Sequence, residues 1–299
     1  MAPDFREDDP IIDRLRESEA WSFRIKEMFR LFNHRKRLKI YHIHVQKTGG
    51  STVNHQFAYL AFERNIISKY ETGELKVSGL DFSSPNWRES TEARKVVLLA
   101  NRLPGRVFEG NKFRFVSGPG VRDSVPSGNF DFAFSHIPFY ELKLPPNAFS
   151  FSVFRNPVER LCSRYRMLVE LNRTGLLNHY GGNKNRGVLE SGFEAWVSTT
   201  SRDELNHHLH MFSRHGEVEE AIDLASKVDE ILWTETLDSE LPALFDKLDI
   251  REKYRDLERI KVGKSDQWVP SALELSIADE VTRPDRLFLE AMKRTSGLP

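Results

Sequence analysis

Five short runs rich in aromatic and β-branched residues constrain the fold of this chain most strongly. They are KIYHIHV at 39–45, KFRFVSG at 112–118, FDFAFSH at 130–136, FSFSVF at 149–154 and DEILWTE at 229–235. Several are bounded by glycine, proline or asparagine and are followed by segments with helical periodicity. This pattern is typical of a mostly parallel sheet covered by helices. The chain is therefore predicted to be an α/β protein with a central sheet flanked by helices.

The length of 299 residues fits one large α/β domain. We expect residues 39–299 to form this domain. Residues 1–38 are predicted to be an N-terminal helical extension, because apolar residues between positions 25 and 32 recur at helical spacing. Segment 172–192 is rich in glycine and asparagine and is expected to be a surface loop.

Composition excludes several classes of protein. Lysine plus arginine equals aspartate plus glutamate at 44 each, so no overall positive field points to nucleic acid as the partner. Cys162 is the single cysteine, which allows no intramolecular disulfide and favours a reducing compartment. No apolar run approaches the ~18–20 residues of a membrane span. We therefore expect a cytoplasmic protein without an integral membrane segment, with a protein that has had a membrane anchor removed as the alternative. The sequence carries no indication of the oligomeric state.

The run HVQKTGGST, which follows the first predicted strand, has the composition of an anion-binding loop. Its two glycines let successive backbone N–H groups point at one anion, and the helix predicted to begin near Ser51 adds its positive end. A lysine charge and three hydroxyl donors complete the set. The candidate binding residues are Lys47, Thr48, Gly49, Gly50, Ser51 and Thr52. A plain Gly-Gly turn with a neighbouring lysine is the alternative.

This loop differs from the common nucleotide-binding loop. G-x-x-x-x-G-K-[ST] has its lysine after the glycines, whereas Lys47 precedes Gly49 and Gly50. An ATP- and magnesium-dependent kinase with a P-loop-like fold is therefore the weaker alternative.

A second phosphate-binding candidate lies in FSVFRNPVERLCSRY. Arg155 ends a predicted strand, and Asn156 and Pro157 are suited to the N-cap and first position of the helix that follows. Ser163 lies eight residues after Arg155, about two turns into this helix. A planar guanidinium matches phosphate geometry. Taken singly, Arg155 fits a surface salt bridge and Ser163 a solvated helix position.

His136 is the candidate general base. It ends the run DFAFSH, and the carboxyl edge of strands in an open sheet is where ligand sites form. An imidazole titrates near neutral pH, as a base requires, with a structural histidine as the alternative. Glu141 is a possible assistant by proximity in sequence. In a transfer from a phosphate-containing donor, Lys47 would stabilise the phosphate oxygen of the leaving group.

The two anion motifs together resemble the carbohydrate O-sulfotransferases that include the heparan sulfate 2-O- and 6-O-sulfotransferases. The resemblance spans about residues 39–295 and is specific at HVQKTGGST and FRNPVERLCSRY. It implies 3′-phosphoadenosine 5′-phosphosulfate (PAPS) as sulfuryl donor, with the loop at 47–52 for its 5′-phosphosulfate. Arg155 and Ser163 would hold the 3′-phosphate, and His136 would be the catalytic base.

The resemblance also suggests a nucleotide-covering loop in KVGKSDQW. Relatives often carry an Asn-Ser/Thr-Lys/Arg loop there, and Lys264 and Ser265 are the nearest equivalents in this chain. In the same relatives the region NHHLHMFS lies near the acceptor, which makes Asn206 and His210 weak candidates for acceptor contacts. The NHHLH histidines lack further metal ligands, so no metal is expected.

The predicted function is transfer of a sulfuryl group from PAPS to a hydroxyl, with a glycan or another hydroxyl-bearing molecule as acceptor. Two alternatives stay open at this point. One is the P-loop-like ATP-dependent kinase, and the other is a non-catalytic glycan- or nucleotide-binding module on a degenerate sulfotransferase fold.

Overall fold

Each of the five β-rich runs contains one strand of a single sheet. The computed structural model describes residues 39–50, 52–54, 56–57, 114–175, 177, 186–250 and 268–295. The strands are β1 (Lys39–Ile43), β2 (Phe115–Ser117), β3 (Phe132–Ser135), β4 (Ala148–Phe154) and β5 (Glu230–Trp233). They lie in the order β2-β3-β1-β4-β5, and all four neighbouring pairs are parallel. The predicted α/β fold with a central parallel sheet is confirmed.

The strand order places a ligand crevice at the centre of the sheet. β2 and β3 lie on one side of β1, whereas β4 and β5 lie on the other. The direction in which successive strands are added to the sheet therefore reverses between β1 and β4. These two strands pair from Lys39 with Ala148 to Ile43 with Ser152. In open parallel sheets, ligands bind beyond the carboxyl ends of the strands at such a switch point.

Helices cover the sheet and connect its strands. The described helices are α1 (Val121–Ser124), α2 (Pro157–Arg173), α3 (Arg186–Glu190), α4 (Phe193–Thr199), α5 (Arg202–Leu205), α6 (His207–Phe212), α7 (Val218–Ala225), α8 (Leu237–Lys247), α9 (Ala272–Val281) and α10 (Arg283–Thr295). Short 3₁₀ turns occur at Gly118–Gly120 and Phe139–Glu141. After β1, residues 50, 52–54 and 56–57 are also helical. Segment 172–192 is predicted to be a surface loop. This prediction is wrong at residues 172–173, which end α2, and at residues 186–190, which form α3.

Helix α2 begins as its sequence predicts. The Asn156 side chain accepts hydrogen bonds from the backbone N–H of Val158 (3.0 Å) and Glu159 (3.2 Å), and Pro157 occupies the first turn. An N-cap asparagine satisfies donors that have no partner within the helix. The start of α2, directly after Arg155, is therefore held in a defined position.

Both faces of the sheet are buried, as is usual for parallel sheets. On one face, Phe57 stacks on Phe132 with ring centroids 4.1 Å apart, and it also contacts Phe151 of β4. On the other face, Phe154 packs edge-on against Phe212 and Phe288 at 5.6 Å each. A second core cluster joins α2 to α3, α4 and α9. Aromatic side chains thus pack against both faces of the sheet.

Several predictions lie outside the described residues. These are the N-terminal extension at 1–38 and the residues Ser51, Lys264 and Ser265. Within the described part of the chain, no helix combines the length and apolar character that a membrane crossing requires.

Candidate anion-binding and catalytic site

The loop after β1 folds into a tight, internally bonded turn. Lys47 and Gly49 both have positive φ, at 68° and 87°. This conformation is unfavourable for lysine, and a strained residue of this kind is most often found at a functional site. The Thr48 hydroxyl donates to the Val45 carbonyl at 2.9 Å, and the Thr48 carbonyl accepts from the Thr234 hydroxyl at 2.6 Å. The side chain of Thr48 is therefore used to hold the loop.

The electrostatic environment of Lys47 is strongly positive. The pKa of Lys47 is lowered to about 8, first by burial and then by the positive charges of Arg164, Arg155 and Arg166. Because these positively charged side chains repel one another, binding of an anion between them is electrostatically favourable. The sequence indicated Lys47 and Arg155 for this site, but not Arg164 or Arg166.

Arg155 links the two predicted anion elements. Its Nη1 donates to the Lys47 carbonyl at 3.2 Å, while Nε and Nη2 contact Glu159 at 3.3 and 3.1 Å. Its side chain is 22% exposed, and that of Glu159 is 58% exposed. The salt bridge predicted as an alternative is thus present, but it coexists with a contact to the loop. The two motifs, which are about a hundred residues apart in sequence, are neighbours across β1 and β4.

Two further predicted residues lie on helices near these elements. Ser163 is half-buried on α2, the helix that begins beside Arg155. Thr52 is half-buried in the helical segment after the loop, and its N–H donates to the Gly49 carbonyl at 3.0 Å. Gly50 is buried where this segment begins.

His136 follows β3 at the same edge of the sheet, where the residue is exposed but its Nδ1 is partly buried. Its Nδ1 lies 2.7 Å from the His44 carbonyl, so Nδ1 carries the proton and Nε2 is left as the basic nitrogen. Partial burial within the concave edge lowers the pKa of His136, Arg164 adds to the effect, and the His44 carbonyl and Glu204 oppose it. A neutral imidazole with a fixed tautomer is suited to accept a proton.

Neither carboxylate near this edge is held against His136 by a hydrogen bond in the described structure. Glu141 forms a salt bridge with Arg122 at 2.9 Å, both near the surface. Glu204 pairs with Arg164 of α2. The role suggested for Glu141 therefore has no structural support.

A buried network behind Arg155 was not predicted from the sequence. His208 places Nε2 3.3 Å from the Arg155 N–H and Nδ1 2.8 Å from Asp285, with both side chains fully buried. Asp285 also accepts from the backbone N–H of Leu209 at 2.7 Å, and Arg160 lies 3.9 Å from it. Since the acceptor nitrogen of His208 faces Arg155, the ring is neutral with its proton toward Asp285. The network ties the arginine turn to α6 and α10.

The NHHLH histidines belong to this supporting structure. Asn206 is buried and bonds the Val281 carbonyl at 3.0 Å and the Asp285 N–H at 3.2 Å. His210 lies at the edge of the cluster, 3.6 Å from Asp203. Among the residues that the structure describes, no group of histidines, cysteines and carboxylates is arranged to hold a metal ion.

A parallel α/β sheet with an anion loop after its central strand defines a P-loop-like fold. The model of the sulfotransferase family matches residues 30–269, and this chain belongs to that family. No curated protein matches the chain. The match does not distinguish the heparan sulfate type from other sulfotransferases.

Two solved structures of retinol dehydratase are also similar to this chain. One is in complex with androsterone and the inactive cofactor PAP, and it is 14% identical with a TM-score of 0.32. The other is in complex with retinol and PAP, and it is 15% identical with a TM-score of 0.31. The matches cover 84% and 83% of this chain but 64% and 63% of those chains, so this chain spans less than two thirds of their length. Likeness at this level carries no argument about the acceptor.

Proposed function

We propose that this chain transfers a sulfuryl group from PAPS to a hydroxyl of a glycan. The observation that supports this most is the 3.2 Å hydrogen bond from Arg155 to the Lys47 carbonyl, across the boundary between β1 and β4. It joins the element suited to a phosphosulfate to the element suited to a 3′-phosphate. ATP and ADP carry no 3′-phosphate, so two such elements favour PAPS over them.

The residues around the crevice fit an anionic donor. The loop at 47–52 supplies backbone N–H groups and the Lys47 charge, and Arg155 with Ser163 supplies the 3′-phosphate contacts. The lowered pKa of Lys47, caused by burial and then by three guanidinium groups, is the electrostatic sign of an anion site. Lys264 and Ser265 are proposed to contribute from the nucleotide-covering loop.

The chemistry follows from the tautomer of His136. PAPS supplies a sulfuryl group whose leaving group is a phosphate oxygen. Nε2 of His136 takes the proton of the acceptor hydroxyl as the new oxygen–sulfur bond forms. Lys47 stabilises the negative charge that remains on the phosphate oxygen when the old bond breaks. The reaction needs no metal ion in this proposal.

The acceptor and the cellular location are proposed from the sequence. The resemblance of the two anion motifs to carbohydrate sulfotransferases favours a glycan. The free, buried thiol of Cys162 is consistent with the proposed reducing, cytoplasmic compartment.

Calorimetric titration with adenosine 3′,5′-diphosphate (PAP), ADP and AMP tests the donor class. We expect PAP alone to bind tightly, and Arg155→Ala to weaken it by about 2–5 kcal/mol, because a charge-assisted phosphate contact is lost. Arg186→Ala is the matched control, since Arg186 also pairs with a glutamate four residues later, at 3.3 Å, but on the exposed surface of helix α3. Tight binding of ADP with magnesium, or of no nucleotide, would refute the proposal.

His136→Ala tests the assignment of the base. We expect sulfate transfer to an acceptor glycan to be lost while PAP affinity is retained. His215→Ala is the control, because His215 is an exposed imidazole that pairs with Glu220 at 3.3 Å. Transfer by His136→Ala at the parental rate would show that another group is the base. No transfer by the parent to any glycan, despite PAP binding, would indicate the non-catalytic module.

A further inference from the structure

Three imidazoles form a row along the carboxyl edge of the sheet. The ring centroids of His42 and His44 are 5.0 Å apart, and those of His44 and His136 are 4.5 Å apart. His42 stacks on Phe151 at the inner end of the row. The proposed function uses His136 and the backbone carbonyl of His44, but it leaves the ring of His44 without a role.

The Asn54 side chain sets the tautomers of the two inner rings. Its Oδ1 lies 2.7 Å from Nδ1 of His42, and its Nδ2 lies 3.3 Å from Nδ1 of His44. An amide oxygen only accepts and an amide nitrogen only donates. Nδ1 of His42 is therefore protonated, whereas Nδ1 of His44 accepts and its proton is on Nε2.

The protonated edge of His44 faces the anion loop. A Cβ atom added to Gly50 would lie 2.3 Å from both Cδ2 and Nε2 of His44, so this edge abuts the first helical residue after the loop. His44 is only 8% exposed, and no described residue accepts a hydrogen bond from its Nε2. The enclosed side-chain atoms that lack a hydrogen-bond partner include Nε2 of His42 but not Nε2 of His44. The Nε2 of His44 therefore reaches the surface beside the loop, where a ligand oxygen can accept a hydrogen bond from it.

The ring of His44 is neutral in this environment. Burial lowers its pKa well below the ordinary value, and the neighbouring charges of His136, His42, His207 and Lys47 act in the same direction. A neutral ring with one proton, on Nε2, is a fixed hydrogen-bond donor throughout the neutral range.

We propose that His44 is a binding residue for the sulfuryl group and donates a hydrogen bond from Nε2 to one of its oxygens. This inference rests on the proposed function, in which the loop beside Gly50 holds the phosphosulfate. It adds a neutral donor to the charged contact from Lys47. The contact also requires a glycine at position 50 of the loop, because a Cβ atom there would lie 2.3 Å from the ring.

Two ligands that differ only in the sulfuryl group separate this contact from all others. PAPS carries the group and PAP does not. We expect His44→Phe, which keeps a flat ring in the row, to weaken PAPS binding roughly 10- to 100-fold while PAP binding is unchanged, because a hydrogen bond to a charged group is lost. His42→Phe is the matched control, and we expect it to leave the ratio of the two affinities unchanged. His44→Gln, which keeps an N–H donor at the end of the side chain, is expected to recover part of the loss.

Nitrogen-15 NMR of the unsubstituted protein tests the tautomers without any variant. We expect the proton of His44 on Nε2 and that of His42 on Nδ1, with the His44 Nε2 signal shifted by PAPS but not by PAP. A proton on Nδ1 of His44, or equal losses of PAPS and PAP binding in His44→Phe, would overturn the proposal. If the parent binds PAP with the expected selectivity but these results fail, only this inference is refuted. If the parent binds neither ligand, the proposed function itself is refuted.

Discussion

Replacing Gly50 with alanine tests how closely the histidine row and the anion loop are packed. The added Cβ would lie 2.3 Å from the His44 ring and 3.0 Å from Cε1 of His42, whereas ordinary contacts are 3.4–4 Å. The ring or the loop must therefore move by about 1.1 Å to relieve the closest contact. Movement of the His44 ring is restricted, because Asn54 forms a hydrogen bond with its Nδ1 and the tilted ring of His136 lies against it with centroids 4.5 Å apart.

The cost follows from two opposing effects. Overpacking of a buried site costs about 1–3 kcal/mol. Alanine within a helix stabilises the folded state by roughly 0.5–1 kcal/mol relative to glycine. We therefore expect Gly50→Ala to lower the free energy of unfolding by about 1 kcal/mol, within a range of about 0–2.5 kcal/mol. We also expect weaker PAPS binding, because the loop and the ring are displaced.

Urea denaturation with an unchanged m-value measures the effect, and PAPS titration measures the loss of binding. Gly187→Ala is the matched control, since Gly187 lies in helix α3 and an added Cβ there would meet no atom within 4 Å. Gly187→Ala should leave the free energy of unfolding unchanged or raise it by up to about 1 kcal/mol. If Gly50→Ala is as stable as Gly187→Ala and binds PAPS normally, the close packing of ring and loop is refuted.

Two further predictions concern charge. PAP affinity should fall as pH rises through about 8, the pKa of Lys47, because only the protonated amine attracts phosphate. Lys47→Arg should remove this fall, and a flat calorimetric profile for the parent would contradict the prediction. Asp285→Asn should lower the free energy of unfolding by about 3–5 kcal/mol in urea, because it leaves the buried charge of Arg160 unpaired. Asp279→Asn, which affects an exposed pair 3.5 Å apart, should cost under about 1 kcal/mol, and equal effects of the two changes would refute the role of the network.

The strands and the first residues of α2 could be predicted because their signals are local. Aromatic and β-branched runs mark all five strands, and Asn156 with Pro157 marks the start of the helix after Arg155. The positions of Lys47 and His136 at one edge follow from the parallel order of the strands. Parallel strands end at the same edge, so residues that follow them meet there.

The supporting shell of the site could not be predicted because its contacts join distant parts of the chain. Nothing near Asp285 in sequence shows that it is fully buried or that it meets His208, 77 residues away. His42 and His44 alternate along β1 and therefore share a face of the sheet. Their opposite tautomers depend on the single amide of Asn54, whose side-chain direction no local pattern reveals.

The hydrogen bonds around Asp285 have a consequence for folding during synthesis. Asp285 lies in α10, far after β4 in sequence, yet its partner His208 accepts a hydrogen bond from the N–H of Arg155, between β4 and α2. Until α10 has emerged from the ribosome, His208 and Arg160 lack the carboxylate of Asp285. The buried network behind the arginine turn is therefore completed only after α10 has been made and has folded onto α6.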